Sequence, residues 1–174
     1  LHRTGITAMQ DLACAPGEVA RFLPLRERAR EEGRRTVRTR LTVDVSPDEP
    51  ARGIAEAVRL RDRYRSGAIA FGGLKGYVDG VIESHTAAML APYADDPASS
   101  RGAPRWEQAA LDRAVAAADQ AGLQVWLHSI GDRGIRMALD AYAAAAAQNG
   151  PRDRRHRVEH VEAIDAADAP RFGA

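Results

Sequence analysis

The 174-residue chain holds a single cysteine, Cys14. One thiol cannot form an internal disulfide framework or a cysteine-based zinc ribbon. Sparse cysteine also fits a reducing compartment, so a cytoplasmic location is expected. No apolar run approaches the roughly 18 residues that a membrane helix needs, and no basic-then-apolar signal opens the chain. Net charge is scarce too, at +1 from 25 Lys+Arg and 24 Asp+Glu. That balance calls for no polyanionic partner. The basic cluster Arg152, Arg154, Arg155 and Arg157 has Asp153 and Glu159 beside it and no recognised binding motif. It reads as a solvated turn, and neither a nucleic-acid nor a membrane partner is expected. A glycine-rich phosphate loop is missing after the first expected strand, which weakens a dinucleotide-binding reading. The chain starts at Leu1 without Met and stops after Pro170-Arg171-Phe172-Gly173-Ala174. Both ends are expected to be cuts through a longer protein.

What is present is an alternation of strand and helix signals. Gly5 to Asp11 is a short apolar run with a β-branched centre and reads as a strand. Pro16 to Glu32 places Val19, Phe22 and Leu23 at helical spacing, and Gly33 closes that helix. Thr36 to Val43 alternates and is rich in β-branched residues, as a strand should be. Ser46-Pro47-Asp48-Glu49 has the form of a capping box, opening a helix to about Ser66-Gly67. Ile69 to Val78 is the third strand. From Asp79 to Ala103 neither period holds, and a loop of that length inside a domain is usually functional. Pro104 is expected to open the next helix, which Ala121-Gly122 ends. Leu123 to His128 is then a strand, Asp132 to Gln148 a helix, and His156 to Val161 a fifth strand. Asp165 is expected to cap a last helix. Alternating units of this kind imply a mostly parallel sheet, either an open doubly wound sheet or a barrel.

Five histidines are present. His128 and His160 each stand at or next to the end of an expected strand, one βα unit apart. Such positions are neighbours at the catalytic face of a parallel barrel, and neutral imidazole is the commonest metal ligand. A single such histidine is more often a satisfied core residue; two at equivalent positions shift the balance. His156 sits at the other end of its strand and is set apart from the site. Lys75 interrupts the apolar stretch Gly73-Leu74-Lys75-Gly76-Tyr77-Val78. Burying an ammonium is costly unless it is paired or chemically altered, so Lys75 is a third candidate beside the plain reading of a surface lysine. Asp79, followed by Gly80, could be turn chemistry alone.

In combination these stretches resemble amidohydrolase family 3, the metal-dependent amidohydrolases that include N-substituted formamide deformylases. The likeness rests on Gly5-Ile6-Thr7 to Gln10-Asp11, on Leu74 to Gly80 running into Ser84-His85-Thr86-Ala87-Ala88-Met89-Leu90-Ala91-Pro92-Tyr93, on His128-Ser129-Ile130-Gly131-Asp132, and on Arg155-His156-Arg157-Val158-Glu159-His160. The resemblance implies a partial (β/α)8 TIM barrel, with residues 1–174 as the central part of one domain, about strands 2 to 6. It matches Lys75, His128 and His160 to the metal ligands of strands 4, 5 and 6. It also implies one or two divalent ions, zinc by preference, and a Lys75 that can be carbamylated into an oxygen ligand. The family's His-x-His pair of strand 1 and its strand-8 general-base aspartate find no counterpart here, and both are expected outside the chain.

The implied activity is hydrolysis of a carbon–nitrogen bond, of amide or N-formyl type, in a small molecule by a metal-activated water. The competing expectation is an inactive fragment or decayed paralogue, since only part of the metal site is present. Asp79, His85 and Asp132 are the candidate substrate contacts, with Asp132 also suited to capping a helix. Arg157 and Glu159 alternate with His160 and are expected to face away from the ligand side. Exposed sheet edges would invite self-association.

Overall fold

β-Branched and apolar residues build the first strands, and the buried positions show which face they cover. The computed structural model describes residues 2–14, 23–24, 27–33, 37–64, 69–95 and 100–173. The chain divides into two compact units, Leu1–Lys75 and Gly76–Ala174.

The first unit holds β1 (Ala8–Cys14), β2 (Arg38–Asp44) and most of β3 (Ile69–Tyr77), in the order β1-β2-β3 with both pairings parallel. β1 starts three residues later than the sequence pattern implies. Helix α1 (Pro50–Arg63) connects β2 to β3. Leu41, Val43, Leu60, Phe71 and Leu74 are buried in this unit. Residues 23–24 and 27–31 are helical, in keeping with the helix expected from Pro16; the remainder of that segment lies outside the described residues.

The expected capping box does not form. α1 begins at Pro50 with Glu49 as its N-cap and no side-chain cap bond. Ser46 Oγ instead accepts from Asp48 N at 3.3 Å, in a local turn. Pro47 and Pro50 are both suited to the first helical position. The serine hydroxyl is spent on the turn, so the second proline opens the helix.

The second unit runs from the end of β3 through a long irregular segment to α2 (Gln108–Gln120), β4 (Gln124–Ser129), α3 (Asp132–Asn149) and β5 (Arg157–His160). Its strands are ordered β3-β4-β5. Val78 N donates to His128 O at 2.9 Å, and β4 pairs with β5 in parallel, Trp126 opposite Arg157 and His128 opposite Glu159. Leu111, Val115 and Ala118 of α2 and Ile135, Ala138 and Ala145 of α3 are buried beside Leu123, Trp126 and Leu127. α2 starts at Gln108 rather than at Pro104 because the intervening turn is tied to β3. Arg105 N donates to Val78 O at 2.7 Å and Trp106 Nε1 to Tyr77 O at 3.0 Å. A short 3-10 helix, Ala169–Gly173, closes the described chain, after a turn in which Asp165 Oδ1 accepts from Ala167 N. Parallel strands alternating with helices make this a partial TIM-barrel-like α/β fold.

A buried charge cluster sits where β5 begins, far along the strands from the two histidine tips. Asp119 has no exposed surface. Its Oδ1 lies 3.1 Å from Arg152 Nε, 3.1 Å from Arg154 Nε and 3.3 Å from His156 Nε2, while Asn149 Nδ2 donates to its Oδ2 at 2.8 Å. Burial works against the Asp119 anion, but Asn149, Arg154 and Arg152 outweigh it and hold its pKa below the ordinary carboxylate value. His156 Nδ1 accepts from Val125 N at 3.1 Å, so the ring proton is on Nε2, aimed at Asp119. Burial pushes the His156 pKa down from 6.5 to about 4; Arg152 and Arg154 act in the same direction against the pull of Asp119. His156 is thus a structural histidine.

The folded state binds no proton at His156 where the unfolded state does, between 6.5 and about 4. Its stabilisation is complete above that window and is lost as pH falls through it. The full protein should lose thermal stability across this range, and His156→Gln should flatten the dependence by up to one proton. Equal slopes in the two proteins refute the assignment. Asp119→Ala leaves two guanidinium groups without their counter-charge and should cost about 3–5 kcal/mol, read by denaturant unfolding.

Candidate active site

The end of β3 delivers Asp79 into the base of the loop that follows, where it has no exposed surface. Its Oδ2 accepts from Ala88 N at 2.9 Å and Gly131 N at 2.9 Å, and its Oδ1 from Ile130 N at 3.0 Å. One carboxylate therefore clamps the loop after β3 to the turn between β4 and α3. The clamp needs close approach. A Cβ on Gly134 would stand 2.6 Å from Asp79 Oδ2, and one on Gly131 would stand 2.1 Å from Ala88 O. The expected contact of Asp79 with substrate gives way to this framework role, because both its oxygens are engaged and none of its surface is accessible.

His128 leans on the same clamp. Its Nε2 lies 2.9 Å from Gly80 O and 3.7 Å from Asp79 Oδ1. A carbonyl only accepts, so Nε2 carries the proton and Nδ1 is the acceptor nitrogen. The His128 and His160 rings are 4.4 Å apart between centroids. The Tyr77 ring lies 5.3 Å from that of His128.

The register corrects the expectation for β5. Residues paired across parallel strands share a face, so Arg157 and Glu159 lie on the same side as Trp126 and His128. Arg157 indeed stacks over the Trp126 ring at 4.5 Å and pairs with Glu159. Strict alternation would then turn His160 away. It reaches His128 because the strand breaks there: His160 has φ +78° and Val161 φ +54°. Left-handed backbone at a β-branched residue is rare and is typical of strain held at functional sites.

Asp132, His85 and Lys75 each have partners of their own. Asp132 is the first residue of α3. Its Oδ1 accepts from Leu90 N at 2.7 Å and Arg133 N at 2.8 Å, so it pins the loop to the helix start in the capping manner. His85, at φ +54°, stacks on Tyr93 at 4.4 Å with its Nε2 3.0 Å from Asp95 Oδ2. Lys75 belongs to the first unit, is 3% exposed, and its carbonyl accepts from Val45 N at 2.9 Å. Among the described residues, no group of three or more His, Cys, Asp or Glu side chains gathers as a ligand set. Sequence reasoning missed Tyr77 as a neighbour of the histidines, although it sits two residues from Lys75 in the same strand.

Fold and site together define a TIM-barrel-like α/β protein with a histidine pair at its strand ends. The chain belongs to the Amidohydrolase family, whose match runs over residues 1–174. It is 41% identical over 102 residues to the protein LONG AFTER FAR-RED 3 of Arabidopsis thaliana, covering 59% of this chain and 17% of that protein. To the exoenzymes regulatory protein AepA of Pectobacterium carotovorum it is 37% identical over 91 residues, covering 52% of this chain and 19% of that protein. The chain thus spans about a fifth of the curated relatives it matches. A metal-dependent hydrolase structure from Pyrococcus horikoshii superposes on 98% of this chain and 32% of that one, with TM-score 0.76 and 24% identity. This last likeness is one of fold.

Asp79→Ala leaves three backbone N–H groups without their acceptor and should lower unfolding stability of the full protein by about 3 kcal/mol or more. Gly134→Ala should weaken the same clamp by steric displacement of the carboxylate. Denaturant melts that match wild type for both variants would remove Asp79 from its central place.

Proposed function

We propose that the full protein hydrolyses carbon–nitrogen bonds of amide or N-formyl type in small molecules, with a divalent metal ion, zinc by preference, as its cofactor. The observation that carries this reading is the 4.4 Å pairing of the His128 and His160 rings in a chain of the Amidohydrolase family. The donor chemistry fits such an ion. His128 donates from Nε2 to Gly80 O, which makes Nδ1 its donor atom toward a metal, and neutral imidazoles suit zinc. Lys75 is proposed as a further donor in carbamylated form. Its burial supports this, since carbamylation replaces the buried ammonium by an anionic oxygen donor whose charge a divalent ion would offset.

When bound, the ion supplies Lewis acidity to the scissile carbonyl and to the attacking water. The chain's own residues do the positioning. The Gly80 carbonyl fixes the tautomer and rotation of His128, and Asp79 fixes Gly80's neighbours. The buried Trp126 and Leu127 keep water from behind the histidine. His85 and Asp132, on or against the loop after β3, are proposed to shape the substrate end, with the His85–Tyr93 stack as its wall.

His128→Ala and His160→Ala in the full protein should each lower metal content and reduce hydrolysis of an N-formyl amine by about 100-fold or more, since each removes a direct ligand. Unchanged stoichiometry and rate in both variants would sink the proposal. Lys75→Ala is a separate arm. It should lower metal occupancy, with partial rescue by added short-chain carboxylate, and full occupancy without rescue rejects the carbamate ligand.

A further inference from the structure

We infer that Asn149 and Gly150 form a latent deamidation site, held inert by the buried Asp119 cluster and destructive to that cluster once it reacts. The inference goes beyond the hydrolysis proposed above and does not depend on it.

Asn149 is the one asparagine among the 174 residues, and it stands directly before a glycine. That pair is chemically reactive. The backbone nitrogen of the following residue attacks the asparagine Cγ: an N–Cγ bond forms, the Cγ–Nδ2 bond breaks, and ammonia leaves with the proton of the attacking nitrogen. Water then opens the cyclic imide to aspartate or isoaspartate. Glycine has no Cβ to obstruct the approach, and its backbone reaches conformations closed to other residues. In the folded chain both partners of the attack are occupied. Asn149 Nδ2 donates to Ala116 O at 2.9 Å and to Asp119 Oδ2 at 2.8 Å, which holds the leaving amide against α2. The attacking nitrogen, Gly150 N, donates to Ala146 O at 3.1 Å at the end of α3, and Arg154 donates to Gly150 O. Gly150 has φ +75°, a conformation that glycine adopts without strain where a helix stops.

What reaction would do follows from the surroundings of the amide. Asp119 has no exposed surface, and its Oδ1 already faces Arg152, Arg154 and His156. Its Oδ2 faces the Asn149 amide. Conversion to aspartate replaces a donor by a second carboxylate at hydrogen-bond distance from the first. Two like charges so close cannot both ionise without cost, and Ala116 O loses its donor at the same time. An attraction between the end of α3 and α2 becomes a repulsion. The attack itself requires the last turn of α3 to open, a local event with a free energy of its own. The product then opens more readily than the parent, and the change does not reverse.

The test incubates the full protein at mildly alkaline pH and follows the Asn149 peptide by mass spectrometry for the exchange of amide for acid. Folded protein should react at least about tenfold more slowly than the same protein in denaturing urea, because only the opened turn is competent. Asp119→Ala, which breaks the cluster, should raise the folded rate by about threefold or more. Where that variant does not fold, wild type across sub-denaturing urea makes the same comparison, with a rate that climbs as opening becomes more frequent. Asn149→Asp carries the charge of the product and should unfold at lower urea than Asn149→Ala, which loses the donors without adding an anion. Equal rates in folded and unfolded protein, or a folded rate indifferent to Asp119→Ala and to urea, overturns the protection by the cluster. Asn149→Asp as stable as Asn149→Ala overturns the damage to it.

Discussion

One buried carboxylate holds the active end of the second unit together. Asp79 accepts three backbone N–H bonds from two separate segments. Those donors come from the end of β4 and the start of α3 on one side and from the loop after β3 on the other. Without an acceptor they would be stranded in a water-free place, where an unmade hydrogen bond is expensive. The position of His128 follows from this arrangement, since the carbonyl that fixes its ring belongs to the residue after Asp79. Asp132 repeats the device more lightly through Leu90.

Charge is used differently at the two ends of β4 and β5. Near the start of β5, Asp119 meets two arginines and His156 and is closed off. That cluster is a framework, and stability is what it supplies. At the other end two imidazole rings meet at 4.4 Å beside the Tyr77 ring. Barrel enzymes commonly show this division, with chemistry at the C-terminal tips of the strands and packing at the N-terminal ends. The Arg157–Glu159 pair lies between the two regimes, satisfied within itself and stacked on Trp126.

Much of the architecture was legible in the residues. The order of strands and helices came from periodicity, and His128, His160 and Lys75 stood out as polar residues at the tips or inside of apolar strands. What was not legible had long-range causes. Asp79 looked like turn chemistry because its partners Ile130 and Gly131 are far away in sequence. The facing of Arg157 and Glu159 was read by counting back from His160, and that count fails when the strand ends in a left-handed residue. The start of α1 depended on which of two prolines would open it, and that of α2 on a tether to β3. Tyr77 was hidden for a simpler reason: an aromatic in an apolar strand reads as core unless the neighbouring strand's ring is known to face it.

The clamp on the loop after β3 also bears on motion. An irregular segment of this length on a protein surface ordinarily samples alternatives within nanoseconds to microseconds. Here its base is tied to a helix start by buried hydrogen bonds, and glycines at the contact leave no slack. The base and the helix start must therefore fluctuate as one body. Opening on this side would be a local unfolding event with a free-energy threshold of its own, slower than the swing of a hinged lid.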